Sequence, residues 1–204
     1  AKAKLRRQIM VAASSVGPGA TNMITAAGVA HANRLPVLLL SGDTFTNRLP
    51  DPVLQQVEHY GSPSITVNDG FRCVSRFWDR ITHPAQILSS LPQAIRTMLD
   101  PADCGPAFIG LPQDIQEIAY DYPESFFAEK TWVIPRPRPS RNEVAAAVDL
   151  LKGAKNPLII SGGGVRYSGA GEALADFAAR RGIPITETIA GKGAVVHDNP
   201  VYVG

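Results

Sequence analysis

Short apolar runs alternate along this chain with segments in which apolar residues recur every three or four positions. The first pattern is typical of buried strands and the second of amphipathic helices. The segments that predict strands or extended pieces are 8–14, 36–42, 64–67, 71–77, 105–112, 156–164 and 183–193. Runs that are apolar throughout, such as 36–42, indicate parallel strands covered on both faces. The chain is therefore predicted to be an α/β protein with helices on both faces of a parallel sheet.

Helical patterns fall between these strands. They predict helices over 21–33, 53–59, 83–99 and 168–182, and Pro92 is expected to bend the third helix. Ser140 and Glu143 have the spacing of a capping box, which predicts that a further helix begins there. In that helix Val144, Val148 and Leu151 lie on one face, and in the helix over 168–182 we expect Leu174, Phe177 and Ala178 to face inward.

Arg-Pro pairs in the segment 121–141 favour a stiff, extended backbone and predict a linker. Residues 1–120 are then the C-terminal part of one domain, and 142–204 are the N-terminal part of another. The predicted elements of the second domain are fewer than one complete sheet usually contains. Because the chain opens on Ala1 without Met and stops after an apolar run, we expect a fragment of a longer protein.

Composition limits the classes of function. Of the 204 residues, 45% are hydrophobic and 19% are charged, as in a globular protein. The net charge of +2 is too small to favour nucleic acid or a membrane surface as a partner. Cys73 and Cys104 lie far apart without metal-ligand spacing, which favours reduced thiols and a cytoplasmic location. A basic cluster is interpreted as a solvated face, and it comprises Lys2, Lys4, Arg6 and Arg7.

The most unusual local motif is Gly17-Pro18-Gly19, which lies between the first strand and the first helix. Glycine tolerates positive φ or the close approach of another backbone, proline fixes the bend, and Thr21 or Asn22 could cap the helix. The motif lacks the Lys-Ser/Thr of a P-loop and the third glycine of the dinucleotide fingerprint. From the residues alone, a turn that faces a ligand and a purely structural turn both stay open.

The order of these motifs resembles the thiamine-diphosphate (ThDP) enzymes of the acetolactate synthase and pyruvate oxidase type. The segments that carry the resemblance are SVGPGATN (15–22), PVLLLSGD (36–43), GPAFIGLPQDIQE (105–117) and the run from 156 to 200. The resemblance implies the end of a pyrimidine-binding domain, followed by the start of a Rossmann-like central domain. In such enzymes ThDP is an electron sink for a C–C bond broken next to a carbonyl.

The same resemblance implies ThDP and Mg²⁺ as cofactors. The implied cofactor contacts are Gly17, Pro18, Gly19 and Asn22. It places no catalytic or metal-binding residue in this chain, because the family's ylide-forming Glu is expected before Ala1 and its metal motif after Gly204. Since family members build their active sites between subunits, a homodimer or homotetramer is expected.

Within the family, the segments 41–59, 68–86 and 98–114 resemble one branch. That branch opens the ring of a small polyhydroxylated cyclic dione by C–C hydrolysis in myo-inositol breakdown. Asp43 stands where acetolactate-type members usually have Gln, and Arg76 where many have an active-site Lys, so a substrate other than pyruvate is expected. The candidates for the substrate pocket are Asp43, Gln55, Gln56, His59 and Arg76.

Several alternatives stay open. The polar loop that carries Asp43, Asn47, Arg48 and Asp51 is either an exposed hydrophilic loop or a contact surface for the polyhydroxylated substrate. A ThDP enzyme of the acetolactate synthase or glyoxylate carboligase type would share the fold and cofactor. A nucleotide-binding module without catalysis could use Gly162, Gly163 and Gly164. An acidic residue about 20 positions beyond those glycines, set within a Gly-x-Gly-x-x-Gly frame as a dinucleotide site requires, is missing, which counts against this alternative.

Overall fold

The computed structural model describes residues 3, 8–49, 53, 55–57 and 59–204. The chain divides into two compact units, 1–135 and 136–204, and this division falls within the segment 121–141. Asp51 and the basic cluster of Lys2, Lys4, Arg6 and Arg7 lie outside the described residues. No helix of the described part combines the length and apolarity that are needed to cross a membrane.

A parallel sheet of four strands forms the centre of the first unit, in the order β1-β2-β4-β3. The strands are β1 (Met10–Ser14), β2 (Val37–Asp43), β3 (Phe77–Arg80) and β4 (Ala107–Pro112). The strands predicted at 8–14, 36–42 and 105–112 are thereby confirmed. Ala107 pairs with Leu38 on one side and with Phe77 on the other. Because all strands run in the same direction, their carboxyl ends meet at one edge, which we call the carboxyl edge.

Helices cover both faces of this sheet, as predicted. They are α1 (Pro18–Thr21), α2 (Ile24–Ala32) and α3 (Ile87–Leu99), which contains Pro92. On one face Leu38 and Ile109 pack with residues of α3. On the other face Leu39 and Phe108 pack with residues of α1, α2 and a 3₁₀ turn at Val67–Phe71. Successive residues of β2 and β4 thus enter opposite cores, which explains why both strands are apolar throughout.

The helix predicted over 21–33 begins earlier and is divided in two. Gly17 precedes α1 and Met23 precedes α2, and neither helix start is capped by a side chain. The prediction that Thr21 or Asn22 caps the helix is therefore wrong, since both residues lie at the end of α1. Pro18 explains the earlier start, because its fixed φ and missing N–H suit the first turn of a helix.

Two further local predictions are wrong. The described residues of 53–59 are not helical, and Gln55 has a φ of +68°, which an α-helix does not accommodate. The segment 71–77 forms turns, and only Phe77 onward is strand. A capping box between Thr66 and Asp69 stabilises the 3₁₀ turn at Val67–Phe71, just before this segment. The apolar residues of the sequence did not indicate this turn.

The second unit contains a parallel pair of strands, β5 (Ile159–Ser161) and β6 (Ile185–Glu187). Its helices are α4 (Arg141–Gly153), α5 (Gly163–Ser168) and α6 (Gly171–Arg181). The capping box of Ser140 and Glu143 at the start of α4 is confirmed. The small core of this unit has Ala178, Ile185 and Val195 at its centre, with Leu174 packed against them.

Burial in the helices of the second unit differs from the prediction. Val144, Val148 and Leu151 of α4 are 48%, 41% and 42% exposed, because nothing among the described residues covers this face. Phe177 of α6 is also exposed, whereas Ala178 is fully buried as expected. The helix predicted from the capping box is therefore confirmed with its apolar face exposed, whereas the inward orientation predicted for Phe177 is wrong.

Candidate functional site at the carboxyl edge

Asp43 is the last residue of β2, and its side chain is only 1% exposed. Its Oδ2 accepts a hydrogen bond from Nε of Arg80 at 2.7 Å, and its Oδ1 accepts one from the backbone N–H of Thr44 at 2.9 Å. A Cβ at Gly110 in β4 would lie 3.0 Å from Oδ2, so glycine leaves room for the carboxylate. Asp43 is thus a buried member of an ion pair and not part of an exposed loop.

Arg80, the last residue of β3, connects three segments of the chain. Besides its bond to Asp43, its Nη2 donates to Oδ2 of Asp69 and to Oγ1 of Thr66, both at 2.8 Å. Its Nη1 donates to the carbonyl of Ser64 at 3.4 Å. The guanidinium fork is therefore held in one orientation by two carboxylates, a hydroxyl and a backbone carbonyl.

Asp69 is the second carboxylate of this network. Burial opposes its ionisation, but hydrogen bonds from the backbone N–H of Thr66 and from Arg80 and Arg72 outweigh that effect and lower its pKa to about 2. Arg72 donates to Oδ1 of Asp69 at 2.8 Å and lies over the ring of Trp78 at 3.5 Å. Asp69 consequently stays charged at every physiological pH and fixes the other side of Arg80.

A polar cavity of about 180 Å³ opens beside Arg80. Hydroxyl side chains, two arginines and two apolar residues line it, namely Thr44, Thr46, Ser64, Thr66, Thr82, Arg48, Arg80, Phe45 and Pro63. Asp114, which follows β4, accepts from the backbone and hydroxyl of Thr46 at 3.0 and 2.6 Å and so fixes one wall. Arg48 has a left-handed φ of +57°, an uncommon backbone state for a side-chain-bearing residue and one that recurs at functional sites.

The Gly17-Pro18-Gly19 turn follows β1 at the same edge. Gly17 is buried with a φ of +67°, and a Cβ there would lie 1.7 Å from the carbonyl oxygen of Gln55. At Gly19 a Cβ would lie 2.3 Å from Oγ of Ser15. Both glycines therefore have a reason within the chain itself, since each makes room for a protein atom. Pro18 and Asn22 remain exposed beside them.

The structure places Gln55, Gln56 and His59 in irregular backbone. Gln55 touches the turn through its carbonyl group, and His59 is exposed. Nε2 of Gln56 is buried and has no hydrogen-bond partner among the described residues. A buried amide donor next to the residue that covers Gly17 can bind an acceptor atom of a ligand, such as a ring nitrogen.

Arg76 is the candidate that the structure does not bring to the carboxyl edge. It precedes β3, its Nη1 contacts Asp103 at 3.4 Å, and its backbone N–H donates to Pro106 at the start of β4. Asp43 and Arg76 therefore lie at opposite ends of the strands. Asn47, from the loop that follows Asp43, donates its backbone N–H to Asp114 at 3.0 Å.

Sequence reasoning missed Arg80, Asp69 and Thr66, which form the centre of the network. The Thr66-x-x-Asp69 spacing is a capping-box signal that was available in the sequence. Arg80 carried a weaker signal, as a charged residue in an aromatic run. Its pairing with Asp43 depends on strand order, since the two residues are 37 positions apart.

The second unit has its own carboxylate at a strand end. Glu187 of β6 accepts hydrogen bonds from the backbone N–H groups of Gly193, Ala194 and Val195 at 3.0, 2.9 and 3.0 Å. The hydroxyl of Tyr202 donates to the same carboxylate at 3.1 Å. Although partial burial raises the pKa of Glu187, these hydrogen bonds outweigh it and lower the pKa below its ordinary value. Glu187 therefore holds the loop after β6.

Potential metal ligands do not form groups of three or more among the described residues. The glycines that were a nucleotide-site alternative lie at the start of α5, where Gly162 precedes the helix. Oγ of the preceding Ser161 is buried and has no hydrogen-bond partner among the described residues. A helix of this length offers too few aligned peptide groups to argue for an anion site.

Comparison with known proteins extends over the whole chain. A 3D-(3,5/4)-trihydroxycyclohexane-1,2-dione hydrolase of Geobacillus thermodenitrificans is 52% identical over all 204 residues, which are 32% of that protein. The hydrolase of the same name from Clostridium perfringens is 50% identical over 204 residues, again 32% of its length. The one from Clostridium tetani is 52% identical over 195 residues, or 96% of this chain and 30% of the relative. The chain thus spans about a third of the length of these curated relatives.

Models of enzyme domains match both halves of the chain. Residues 1–62 match the N-terminal TPP binding domain of thiamine pyrophosphate enzymes, and residues 144–204 match the central domain of the same enzymes. The matches agree with the mixed α/β fold, and their order along the chain is the order in which the two units occur. Together they cover more than half of the sequence. The chain belongs to the thiamine-diphosphate-dependent enzymes.

Proposed function

We propose that this chain is part of a ThDP-dependent hydrolase that opens the ring of trihydroxycyclohexane-1,2-dione to 5-deoxy-glucuronate in myo-inositol breakdown. The observation that carries this proposal is the identity of about half of all residues, along the entire chain, with proteins that bear this hydrolase name. The activity, substrate and assembly of the whole protein are all part of the proposal, because the chain spans only about a third of those relatives.

The turn at Gly17-Pro18-Gly19 and Asn22 is proposed to contact the aminopyrimidine side of the cofactor. When bound, ThDP supplies an electron sink for the breaking C–C bond. Pro18 begins α1 and Asn22 follows it, and both are exposed and accessible to such a ligand. The unpaired Nε2 of Gln56 supports the same placement, because it offers a buried donor close to the turn.

Further parts of the proposal concern the working protein. We include Mg²⁺ as the second cofactor, a homodimer or homotetramer as the assembly, and the cytoplasm as the location. Cys73 and Cys104 are both free thiols, which supports a reducing compartment. The division into domains 1–120 and 142–204 with the linker 121–141 also stays a prediction.

The function is tested by assaying the full-length enzyme, loaded with ThDP and Mg²⁺, on the cyclic dione and on pyruvate. We expect ring opening with release of the deoxy sugar acid, and little or no acetolactate. The reverse result, acetolactate formation without ring opening, would assign the protein to the acetolactate synthase type.

The cofactor turn is tested by Asn22→Ala, with Asn33→Ala as the matched control. Asn33 follows α2 as Asn22 follows α1, and its Nδ2 donates to the backbone carbonyl of Val29 in its own helix. We expect ThDP affinity to fall on the order of tenfold for Asn22→Ala, as for a lost hydrogen bond, and to change less than twofold for the control. Equal ThDP affinity of both variants and wild type would remove Asn22 from the cofactor site.

A further inference from the structure

One N–H group of Arg80 is not used in hydrogen bonds to the described residues. A guanidinium has five N–H groups, and the bonds to Asp43, Asp69, Thr66 and Ser64 use four of them. The remaining N–H, on Nη1, has no partner among the described residues. Since Arg80 also lines the polar cavity, the network holds a charged donor in a fixed orientation next to a space that a small molecule can enter.

The carboxylate of Asp43 has no comparable freedom. It is buried, and both of its oxygens accept hydrogen bonds from protein groups. A ligand in the cavity therefore meets Arg80 and not Asp43. The carboxylate of Asp43 fixes the orientation of Arg80 through its Nε, and the carboxylate of Asp69 does so through Nη2.

The remaining lining is rich in groups that both donate and accept. Thr66 accepts from Arg80 and from the backbone N–H of Asn68, so that its own hydroxyl hydrogen is available. The hydroxyl of Thr44 has no partner among the described residues. Within the described part of the chain, the hydroxyl of Thr82 makes only long hydrogen bonds of 3.3 and 3.4 Å, both to Gln86. Adjacent ring hydroxyls, which donate and accept in turn, match such a lining.

Charge around the cavity argues against an anion as the ligand. The carboxylates that bond to its lining are Asp43, Asp69 and Asp114, the guanidiniums that line it are Arg48 and Arg80, and Arg72 is paired with Asp69. Their charges cancel among the described residues. A neutral molecule with several hydroxyl or carbonyl oxygens is therefore favoured over a phosphate or a carboxylate.

We propose that this cavity binds one edge of the polyhydroxylated ring, that Arg80 is the substrate-binding residue there, and that Asp43 and Asp69 are its positioning residues. This inference rests on the proposed function for the identity of the ring. It moves the substrate contact from Asp43 to Arg80, the last residue of a different strand. It also gives the buried ion network a role in recognition in addition to its role in packing.

The test compares Arg80→Lys with Arg72→Lys in the full-length, cofactor-loaded enzyme. Both variants keep the charge and lose the planar fork, and both arginines bond to Asp69, but only Arg80 lines the cavity. We expect Arg80→Lys to raise KM for the dione on the order of tenfold with a smaller effect on kcat, as for a lost charged hydrogen bond. Arg72→Lys should leave KM within about twofold of wild type, well below a tenfold effect.

Thr44→Val provides a second variant, since it removes a hydroxyl from the cavity without breaking a bond between described residues. It should raise KM about threefold, in line with a neutral hydrogen bond, and it keeps the test valid if Arg80→Lys fails to fold. Asp43→Asn should also raise KM, and combining it with Arg80→Lys should add little, because both changes act on the same contact.

The outcomes separate this inference from the function on which it rests. Wild-type KM in folded Arg80→Lys and Thr44→Val would overturn the inference while wild-type ring opening still supported the function. An equal rise of KM in Arg72→Lys would also overturn it, because the effect would then come from general disturbance of the network. Absence of ring opening by the wild-type enzyme would overturn both.

Discussion

Asp43 in the first unit and Glu187 in the second are the last residues of parallel strands, yet they are held in opposite ways. Asp43 binds a guanidinium that belongs to another strand and reaches further partners. Glu187 is surrounded by three consecutive backbone N–H groups and a tyrosine hydroxyl. The first arrangement leaves a donor available at a cavity, whereas the second uses the carboxylate to close a loop.

The difference teaches how the same residue type at the same place in a fold can serve recognition or structure. Backbone N–H groups have fixed directions, so a carboxylate that binds three of them stabilises the conformation of that loop. Its acceptor sites are then occupied by the backbone. A guanidinium has more donors than one carboxylate can accept, and an arginine fixed by an acid can therefore offer a remaining N–H to a ligand. Substitutions in the two networks and at the glycine turn test this difference.

The largest effect is expected from Arg80→Met, which removes the cation and leaves the buried Asp43 carboxylate unpaired. We expect the free energy of unfolding of the first unit to fall by about 3–5 kcal/mol, the usual effect of breaking a buried ion pair. Urea denaturation followed by tryptophan fluorescence measures it, because Trp78 stacks on Phe108 in this core.

The matched double variant is Arg80→Met with Asp43→Leu. Replacing both partners removes the unpaired charge, so most of the stability lost in Arg80→Met should return. If the double variant were as unstable as the single one, the loss would come from the bonds of Arg80 to Asp69 and Thr66 and not from the buried charge of Asp43.

Gly17→Ala should have the next largest effect. The change places a Cβ at positive φ, 1.7 Å from the carbonyl oxygen of Gln55, which must shift. We expect a loss of about 2–3 kcal/mol in the free energy of unfolding, from backbone strain and steric overlap together. The control is Gly153→Ala at the end of α4, where a Cβ meets nothing within 4 Å and stability should be unchanged or slightly higher. Similar losses in both variants would contradict the close contact at Gly17.

Glu187→Gln tests the loop of the second unit. The amide keeps one acceptor oxygen and presents a donor to backbone groups that are themselves donors. We expect a local loss of about 2 kcal/mol, seen as roughly thirtyfold faster hydrogen exchange of the amides of Gly193, Ala194 and Val195. Exchange elsewhere in the second unit is the internal control, for example along α6. Unchanged exchange at the three amides would show that Glu187 does not hold the loop.

The smallest expected effect is the pH dependence of the stability that the ionised side chain of Asp69 contributes. Its pKa is lowered from 3.8 to about 2 in the folded protein, so its contribution to stability is complete above the unfolded pKa and is lost as pH falls toward 2. Asp69→Asn lacks this contribution. The Tm difference between wild type and variant should therefore be constant above about pH 5 and shrink between about pH 4 and 2. A difference that stayed constant down to pH 2 would contradict the assigned charge of Asp69.

The sequence predicted some elements of the carboxyl edge correctly and others wrongly. The strand that ends at Asp43 and the glycine turn after β1 were placed correctly, because apolar runs and Gly-Pro-Gly spacing are local signals. The expected helix at 53–59 and the expected strand at 71–77 were wrong. In both places a contact from elsewhere decides the backbone: the carbonyl of Gln55 packs on Gly17, and Asp69 caps its turn while also binding Arg80.

The α/β layering and the family can be inferred without coordinates, since hydrophobic periodicity and the collinear order of motifs are properties of the chain alone. Which charged residues meet depends on how the strands are arranged in space. Asp43 and Arg80 do not lie on neighbouring strands, because β4 runs between β2 and β3. Their contact requires the order of strands, the register of both pairings and the missing side chain at Gly110. A shift of one residue in either pairing would turn one partner to the other face of the sheet, so no local pattern can specify this ion pair.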